Sequence, residues 1–552
     1  MSFWSTISYK LKEILRNMIG ARTIEQTLHV APVISSEMET AISLWSDMYK
    51  GQAPWIREPS YDNPTRVVSL GLPAMIASEK ARMALIEMQS EITTPTREVE
   101  IENPDYVEPE PDENGFINKS APKTITEDRP ISDTVRAEYL QSQYEKLLKQ
   151  LRTQIEYGIA KGGLVIKPYV VFKKLTNEVG DEEAQQDIDI EFDFIQADCF
   201  YPLAFDASGH ITEAAFLQTK TEKDLIYRRL EYHKWENNTV QIVNKAFKST
   251  NTQTQSDMSG VDLGQEIALT EVPEWKDLQN SVTIANVEQP LFAYFKMPEA
   301  NTVDTTSPLG VSGYSRATNL IKDADMQYSR LLWEYEAGEM AVNVDRDAFL
   351  WLSNDTDADR GKSMLGSMQQ RLYRQVDVDT EALFEPYAPS LRDTQYIEGL
   401  NVILMRIEDV TGLSRGTLSD AAAEARTATE LKILKQRSYQ TNADIQEAVE
   451  KALKDVIYIM NVYCDLYEIT APGEYDASFE WDDSILVDVD AELSKRITLM
   501  QNGLASKLEN RMWYFGETER QAQDALLRID EENRQSMEDN LIEQMNLSNI
   551  NK

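Results

Sequence analysis

The sequence predicts an α+β, helix-rich chain of several structural units, forming an elongated, segmental subunit suited to self-assembly. Three observations carry that expectation. Apolar residues recur at helical spacing through the first ninety residues and again from 314 onward, whereas the hundred or so residues from 164 read as strand-rich, with a run that alternates apolar with acidic positions. Two helices flank a short β-leaning insert, and a polar loop then leads into a much longer helix. The helical stripes also expose more apolar surface than one such subunit covers, which favours burial against neighbouring copies.

Composition bounds the rest. Across 552 residues, 93 acidic side chains stand against 55 basic ones, for a formal charge of −38. That balance excludes a simple basic nucleic-acid binder. With 42% hydrophobic residues the chain can bury substantial cores and is not wholly disordered. Length alone suggests about two to four units. Cys199 and Cys464 are too few for a disulfide framework and fit no metal spacing, as expected in a reducing compartment, although one long-range bridge stays open. No stretch approaches the roughly eighteen apolar residues of a membrane span. Residues 3–16 are amphipathic, with charges that interrupt any signal-peptide core. Docking on a partner subunit is preferred to membrane contact, and a soluble intracellular protein is expected.

Along the chain, Ser35 and Ser36 can cap a helix from Glu37 to Lys50 whose Met38, Ile42, Trp45 and Met48 or Tyr49 share a face. Gly71 and Pro73 precede a helix predicted from Ala74 to Ile92, with Met75, Ala81, Leu85 and Met88 at helical spacing. From Glu98 to Glu113 there are eight acidic residues, three prolines and no basic residue. A segment of that composition cannot offset its ordering entropy by burial. It reads as a solvated loop or insertion reaching Asp133, in preference to a DNA mimic or docking arm. A helix from Thr134 to Ile159 follows, then the mostly antiparallel strand region with turns at Asp206–His210 and Glu236–Asn238. Tyr314 to Met340 and Arg392 to Val410 are the two flanking helices, and Met340–Val344 and Tyr373–Val378 are candidate strands of the insert between them. After the loop from Thr411 to Arg426, Thr427 and Glu430 form a capping box opening a helix to Cys464, with Ile445, Val449, Ala452, Leu453, Val456, Ile459 and Tyr463 in one stripe. A strand from Asp476 to Trp481 leads to helices over Val489–Leu504 and Glu517–Asn546.

Templates for chemistry fail. His29, His210 and His233 lie in dissimilar contexts, so structural roles outweigh metal binding. Gly361-Lys362-Ser363 lacks the earlier glycine of a phosphate loop, and Asp357 and Asp359 would repel phosphate. Asp355, Asp357 and Asp359 resemble a calcium loop, but Arg360 replaces the central glycine and Gly366 the final glutamate, so a turn of solvated carboxylates is preferred. Nothing argues for an enzyme, a cofactor or a metal. An acidic metal-dependent nuclease or hydrolase, for instance, would need a carboxylate–histidine cluster.

The order and spacing of four segments, Ala81–Ile92, Glu156–Tyr169, Ala197–Asp206, and Thr411–Thr417 with Thr427–Glu430, resemble the portal proteins of long-tailed double-stranded DNA bacteriophages over about residues 75–530. The acidic, proline-bearing stretch departs from that pattern as an insertion. The resemblance implies a ring of about twelve subunits around a central channel at one capsid vertex. Its parts would be an N-terminal helical part of the wing over 1–95, the insertion over 96–133, an α/β wing over 134–310 and a first stem helix over 311–340. A clip over 341–390, a second stem helix over 391–411, a tunnel loop over 412–426, a long wing helix and strand over 427–490 and a helical crown over 491–552 complete it.

The tunnel loop would place Gly412, Leu413, Ser414, Arg415, Gly416, Thr417 and Arg426 toward DNA, and the clip would dock partners through Asp345, Arg346, Asp347, Arg371 and Arg374. Implied partners are other copies of the chain, double-stranded DNA, the terminase large subunit, a head–tail adaptor, and the major capsid and scaffolding proteins. No membrane is involved; the site of action is the virion, after assembly in the host cytoplasm. An acidic bore would leave the duplex unanchored. Arg415 and Arg426 would steady it weakly, or would instead be solvated or paired between subunits. The alternative is a ring-forming capsid or tail-connector protein with no part in DNA passage.

Overall fold

The computed structural model describes residues 24–59, 65–86, 88–102, 124–176, 182–223, 225–249, 263–345, 373–376, 384–420, 428–481, 489–516, 521–523 and 525–529. The amphipathic N-terminus, residues 103–113 of the acidic stretch, the motifs at 355–366, and Thr427 lie outside them. The chain divides into two compact units, Met1–Glu480 and Trp481–Lys552.

In the first unit, a short helix α1 (Ile24–Leu28) precedes α2 (Ser36–Tyr49). Ser35 Oγ caps α2 by accepting from Met38 N at 3.4 Å, and Met38, Ile42, Trp45 and Met48 are buried as the spacing predicts. Helix α3 (Leu72–Leu85) begins after Gly71, whose φ of 72° needs no Cβ. It stops at Leu85 rather than continuing to Ile92. Its buried face is Ile76, Ala77, Lys80, Ala81 and Ala84, and Met75 is exposed.

The residues that follow form strand β1 (Met88–Thr93), whose Ile92 N donates to Gln141 Oε1 at 2.9 Å. Flanks of the acidic stretch are also ordered. Strand β2 (Thr96–Glu102) pairs antiparallel with β3 (Thr124–Pro130), from Thr96 opposite Pro130 to Glu102 opposite Thr124. A ladder of backbone hydrogen bonds thus replaces the expected loop at its two ends.

Helix α4 (Val135–Lys161) buries Leu140, Tyr144, Leu147, Leu151, Ile155 and Ile159, packing on α3 and on strands of the neighbouring sheets. Arg136, 1% exposed, donates to Asn461 Oδ1 (2.6 Å), Asp465 Oδ1 (2.8 Å), Thr470 O (3.0 Å) and Ala471 O (3.2 Å). At its other end Gly162 turns left-handed with φ 90°, and Met297 N donates to its carbonyl at 3.1 Å. A Cβ on Gly162 would stand 2.7 Å from Gly310 O, and one on Gly310 would stand 2.1 Å from Gly162 O. Only two glycines allow the backbones this close.

Two sheets follow, all their pairings antiparallel. Strands β4 (Gly163–Thr176) and β5 (Glu182–Gln196) form a long hairpin, and the six-stranded sheet comprises β6 (Phe200–Phe205), β7 (Ile211–Glu222), β8 (Leu225–Glu236), β9 (Thr239–Ser249), β10 (Gln265–Ile267) and β11 (Ser281–Ala285). Strand β12 (Ala293–Lys296) returns to pair with β4. Both predicted turns are present. Asn237 and Asn238 have φ of 51° and 54° between the paired Glu236 and Thr239, the geometry of a two-residue hairpin. Asp206 Oδ1 accepts from Ser208 N and His210 N, both at 2.8 Å.

Helix α5 (Thr318–Ala337) starts later than predicted because Tyr314 is fully buried in a non-helical conformation, its hydroxyl donating to Trp45 O at 2.8 Å. Strand β13 (Ala341–Asp345) pairs in parallel with β14 (Tyr373–Val376) and antiparallel with β15 (Phe384–Tyr387), a strand absent from the sequence reading. Helix α6 (Asp393–Thr411) packs on α5, and the 39-residue α7 (Ala428–Leu466) buries every position of its predicted stripe. Strand β16 (Asp476–Trp481) pairs with β1.

The second unit holds α8 (Val489–Gln501) and α9 (Lys507–Phe515). Helix α8 is shorter than predicted, because Gly503 (φ 70°) turns the chain. Helix α9 opens with a capping box: Glu509 N donates to Ser506 Oγ at 3.0 Å and Ser506 N to Glu509 Oε2 at 2.8 Å. Beyond it, helical residues are described at 521–523 and 525–529 of the predicted Glu517–Asn546 helix. Among the described residues, no helix is long and apolar enough to cross a membrane, and no group of three His, Cys, Asp or Glu could hold a metal ion.

Candidate functional site

Helices α5 and α6 form a hairpin joined through the small β13–β15 sheet, and the polar loop follows α6 at the opposite end. Its first helix is tied to the N-terminal segment. Asp325 on α5 accepts from Trp55 Nε1 (2.9 Å) and Leu70 N (2.8 Å), and Ser329 Oγ accepts from Val68 N (2.9 Å). Burial pushes the Asp325 carboxyl above its ordinary value.

Toward the small sheet, Glu334 of α5 takes Arg392, just before α6, by three bonds: Nη2 to Oε2 at 2.8 Å, Nε to Oε1 at 3.1 Å and the backbone N at 3.2 Å. The Arg392 bonds hold the Glu334 carboxyl below its ordinary 4.5. A carboxylate depressed by folding lends stability above its unfolded value, and that stability is lost as pH falls through the folded value. Glu334→Gln should therefore be less stable than the parent at neutral pH. The gap should close as the pH drops below about 4.5, measured by urea unfolding at several pH values. A gap independent of pH would refute the coupling.

Loop residues 412–420 form a compact turn, so the predicted positions can be placed one by one. Gly412 ends α6 with φ 77°, where a Cβ would stand 2.5 Å from Thr441 Oγ1 on α7. Leu413 is buried at 3% exposure. Ser414 O accepts from Thr417 N (3.2 Å) and Thr417 Oγ1 (2.6 Å), closing a turn. Arg415 is engaged within its own subunit. Its Nε and Nη2 reach Asp409 Oδ1 and Oδ2 at 3.1 and 2.9 Å, and its side chain is 42% exposed.

Gly416 N points at Glu408, a residue the sequence reading did not single out. Glu408 is fully buried at the end of α6. Its Oε1 accepts from Gly416 N (3.1 Å), Leu418 N (2.6 Å) and Ser419 N (2.8 Å), and its Oε2 from Ser419 Oγ (2.8 Å). Asp420 N then donates to Asn401 Oδ1 at 2.8 Å. The loop thus doubles back along α6 for about 10 Å, the rise from residue 408 to residue 401. The available signal was spacing, since Glu408 falls four after Leu404 and three before Thr411, on the apolar face.

Of the predicted partner-docking residues, Asp345 and Arg374 belong to paired strands, opposite Val376 and Asn343. Arg346, Asp347, Arg371 and Arg426 lie outside the described residues.

A second polar cluster lies between the two sheets beside a cavity of about 330 Å³. Lys167 Nζ donates to Glu231 Oε2 at 2.7 Å, His233 Nε2 meets Oε1 at 2.7 Å, and Arg229 Nη2 lies 3.0 Å from Oε2. Burial alone would raise the Glu231 carboxyl, but Lys167, His233 and Arg229 hold it well below its ordinary value. Burial lowers His233, whose ring packs edge-on against Phe216 and Phe292. The arrangement is a clamp joining β4 to β8, consistent with a structural histidine.

No curated protein matches the chain. A family model described as phage portal protein, SPP1 Gp6-like, matches residues 42–539, from within α2 to beyond α9, and so takes in both helices of the α5–α6 hairpin and the loop on Glu408. The chain therefore belongs to the SPP1 Gp6-like family of phage portal proteins.

Proposed function

We propose that this portal protein forms a ring at one capsid vertex, lining the channel through which double-stranded DNA enters during packaging and leaves during ejection. The observation that carries the reading is the family match over residues 42–539, and the order of elements agrees with it: helix, small sheet, helix, loop, long helix. In this reading α5 and α6 are the stem, β13–β15 belong to the clip, residues 412–426 face the DNA, α7 belongs to the wing and residues 491–552 to the crown.

Three physical features support it. The charge of −38 repels a polyanion and so opposes the tight phosphate binding that would stall sliding. Arg415, paired with Asp409 and 42% exposed, is held on the loop and offers the duplex one weak, screened contact. Trp333 and Val402 on the hairpin are 63% and 53% exposed, large apolar side chains of the kind that neighbouring copies cover. The ring would hold about twelve copies. It would dock the terminase large subunit, then the head–tail adaptor, and meet the major capsid and scaffolding proteins. Portal proteins are structural as a family, so ATP hydrolysis falls to the terminase.

Electron microscopy of the purified full chain tests the reading. Rings with an axial opening that admits a B-form duplex are expected. A subunit that stays monomeric at high concentration would overturn it. Rings with no such opening would favour the capsid or tail-connector alternative.

A further inference from the structure

The loop assigned above to the DNA-facing surface owes its shape to one side chain. Between Leu413 and Asp420 it forms no helix or strand, so its backbone N–H groups need other acceptors. Gly416, Leu418 and Ser419 all find the same one, Glu408 Oε1. The second carboxylate oxygen takes the Ser419 hydroxyl, and Ser419 Oγ in turn accepts from Gly416 N at 3.2 Å. A carboxylate with full burial and four donors is a charge-assisted hub. The hub sits on α6, in the same turn as Asp409, which holds the exposed Arg415.

We propose that Glu408 is the positioning residue of this loop: it folds residues 414–419 back on α6 and so fixes which groups face the channel. The inference rests on the DNA-facing reading of residues 412–426, but its first test does not. The carboxylate need not touch DNA, because it acts through the amides it holds. Loss of those acceptors frees the loop and with it the Arg415 presentation, while the remaining contacts of α5, α6 and α7 stay in place.

Hydrogen exchange on assembled rings of the full chain tests the positioning. In Glu408→Ala, the Gly416, Leu418 and Ser419 amides should exchange roughly ten times faster or more, with the α4 and α7 amides unchanged. Glu408→Gln should restore most of the protection, since its carbonyl oxygen can keep the three N–H donors and its amide can donate to Ser419 Oγ. Ser419→Ala, which keeps the buried carboxylate, should give a smaller increase and covers the case in which Glu408→Ala does not assemble. Unchanged exchange in both alanine variants would overturn the proposal.

The DNA length retained in virions carrying Glu408→Ala separates the two readings. Faster exchange with altered DNA retention supports both. Faster exchange with unaltered retention upholds the positioning role and removes the DNA-facing assignment.

Discussion

Arg136→Ala should destabilise the first unit by about 2–3 kcal/mol, the scale of losing a buried guanidinium's packing together with its hydrogen bonds. The reason is the number of groups left behind. Arg136 satisfies two side-chain acceptors, Asn461 and Asp465, and two backbone carbonyls, Thr470 and Ala471. These belong to the last turns of α7 and the segment that leads to β16. Truncation opens a cavity and removes the bonds to the part-buried Asn461 and Thr470, while Asp465, 56% exposed, is left to water. Arg136→Lys should recover little, because one ammonium cannot reproduce a planar fork directed at four oxygens. Urea unfolding followed by tryptophan fluorescence measures the effect. A midpoint for Arg136→Ala within error of the parent would show the cluster to be incidental.

Gly310→Ala should be comparably severe, at about 3 kcal/mol, and for a different reason. The new methyl group would stand 2.1 Å from the carbonyl oxygen of Gly162, a backbone atom that cannot swing away. Relief requires parting the end of α4 from the segment leading to α5, where Met297 N bonds Gly162 O and Gly313 N bonds Ile159 O at 2.9 Å. The junction joins α4, β12 and the approach to the hairpin, so local yielding would spread. A large fall in soluble yield or in the urea midpoint is expected, and parent-like values for both would refute the close approach.

Local chemistry was readable and long-range chemistry was not. The Ser35 cap, the α7 stripe and the Asn237-Asn238 turn depend on residues a few positions apart, and each stands where spacing put it. Strand β1 was read as the end of a helix because Met88, Gln89 and Glu91 suit a helix, and its partner β16 lies far along the chain. The acidic flanks of β2 and β3 looked too polar to order, yet cross-strand backbone bonds do not depend on apolar side chains. Helix α9 was missed although Ser506 and Glu509 spell a capping box.

The loop shows the same division. Its glycines and its limits were legible, and Gly412 does turn left-handed where α6 ends. The sequence leaves Arg415 open between a weak duplex contact and solvation or an inter-subunit pair; its intrachain partner Asp409, six residues earlier in the preceding helix, is not among those readings. Glu408 was passed over because a glutamate in a helical pattern is normally solvated. Only the returning chain reveals what it accepts.

The pairing of β1 with β16 bears on how the subunit is made. Ser478 Oγ reaches back to Glu91 O across 387 residues of chain. At bacterial translation rates that interval lasts roughly 20–80 s, during which β1 waits on the ribosome without its partner strand. A nascent chain therefore carries an unpaired strand at β1 until nearly all of it has emerged.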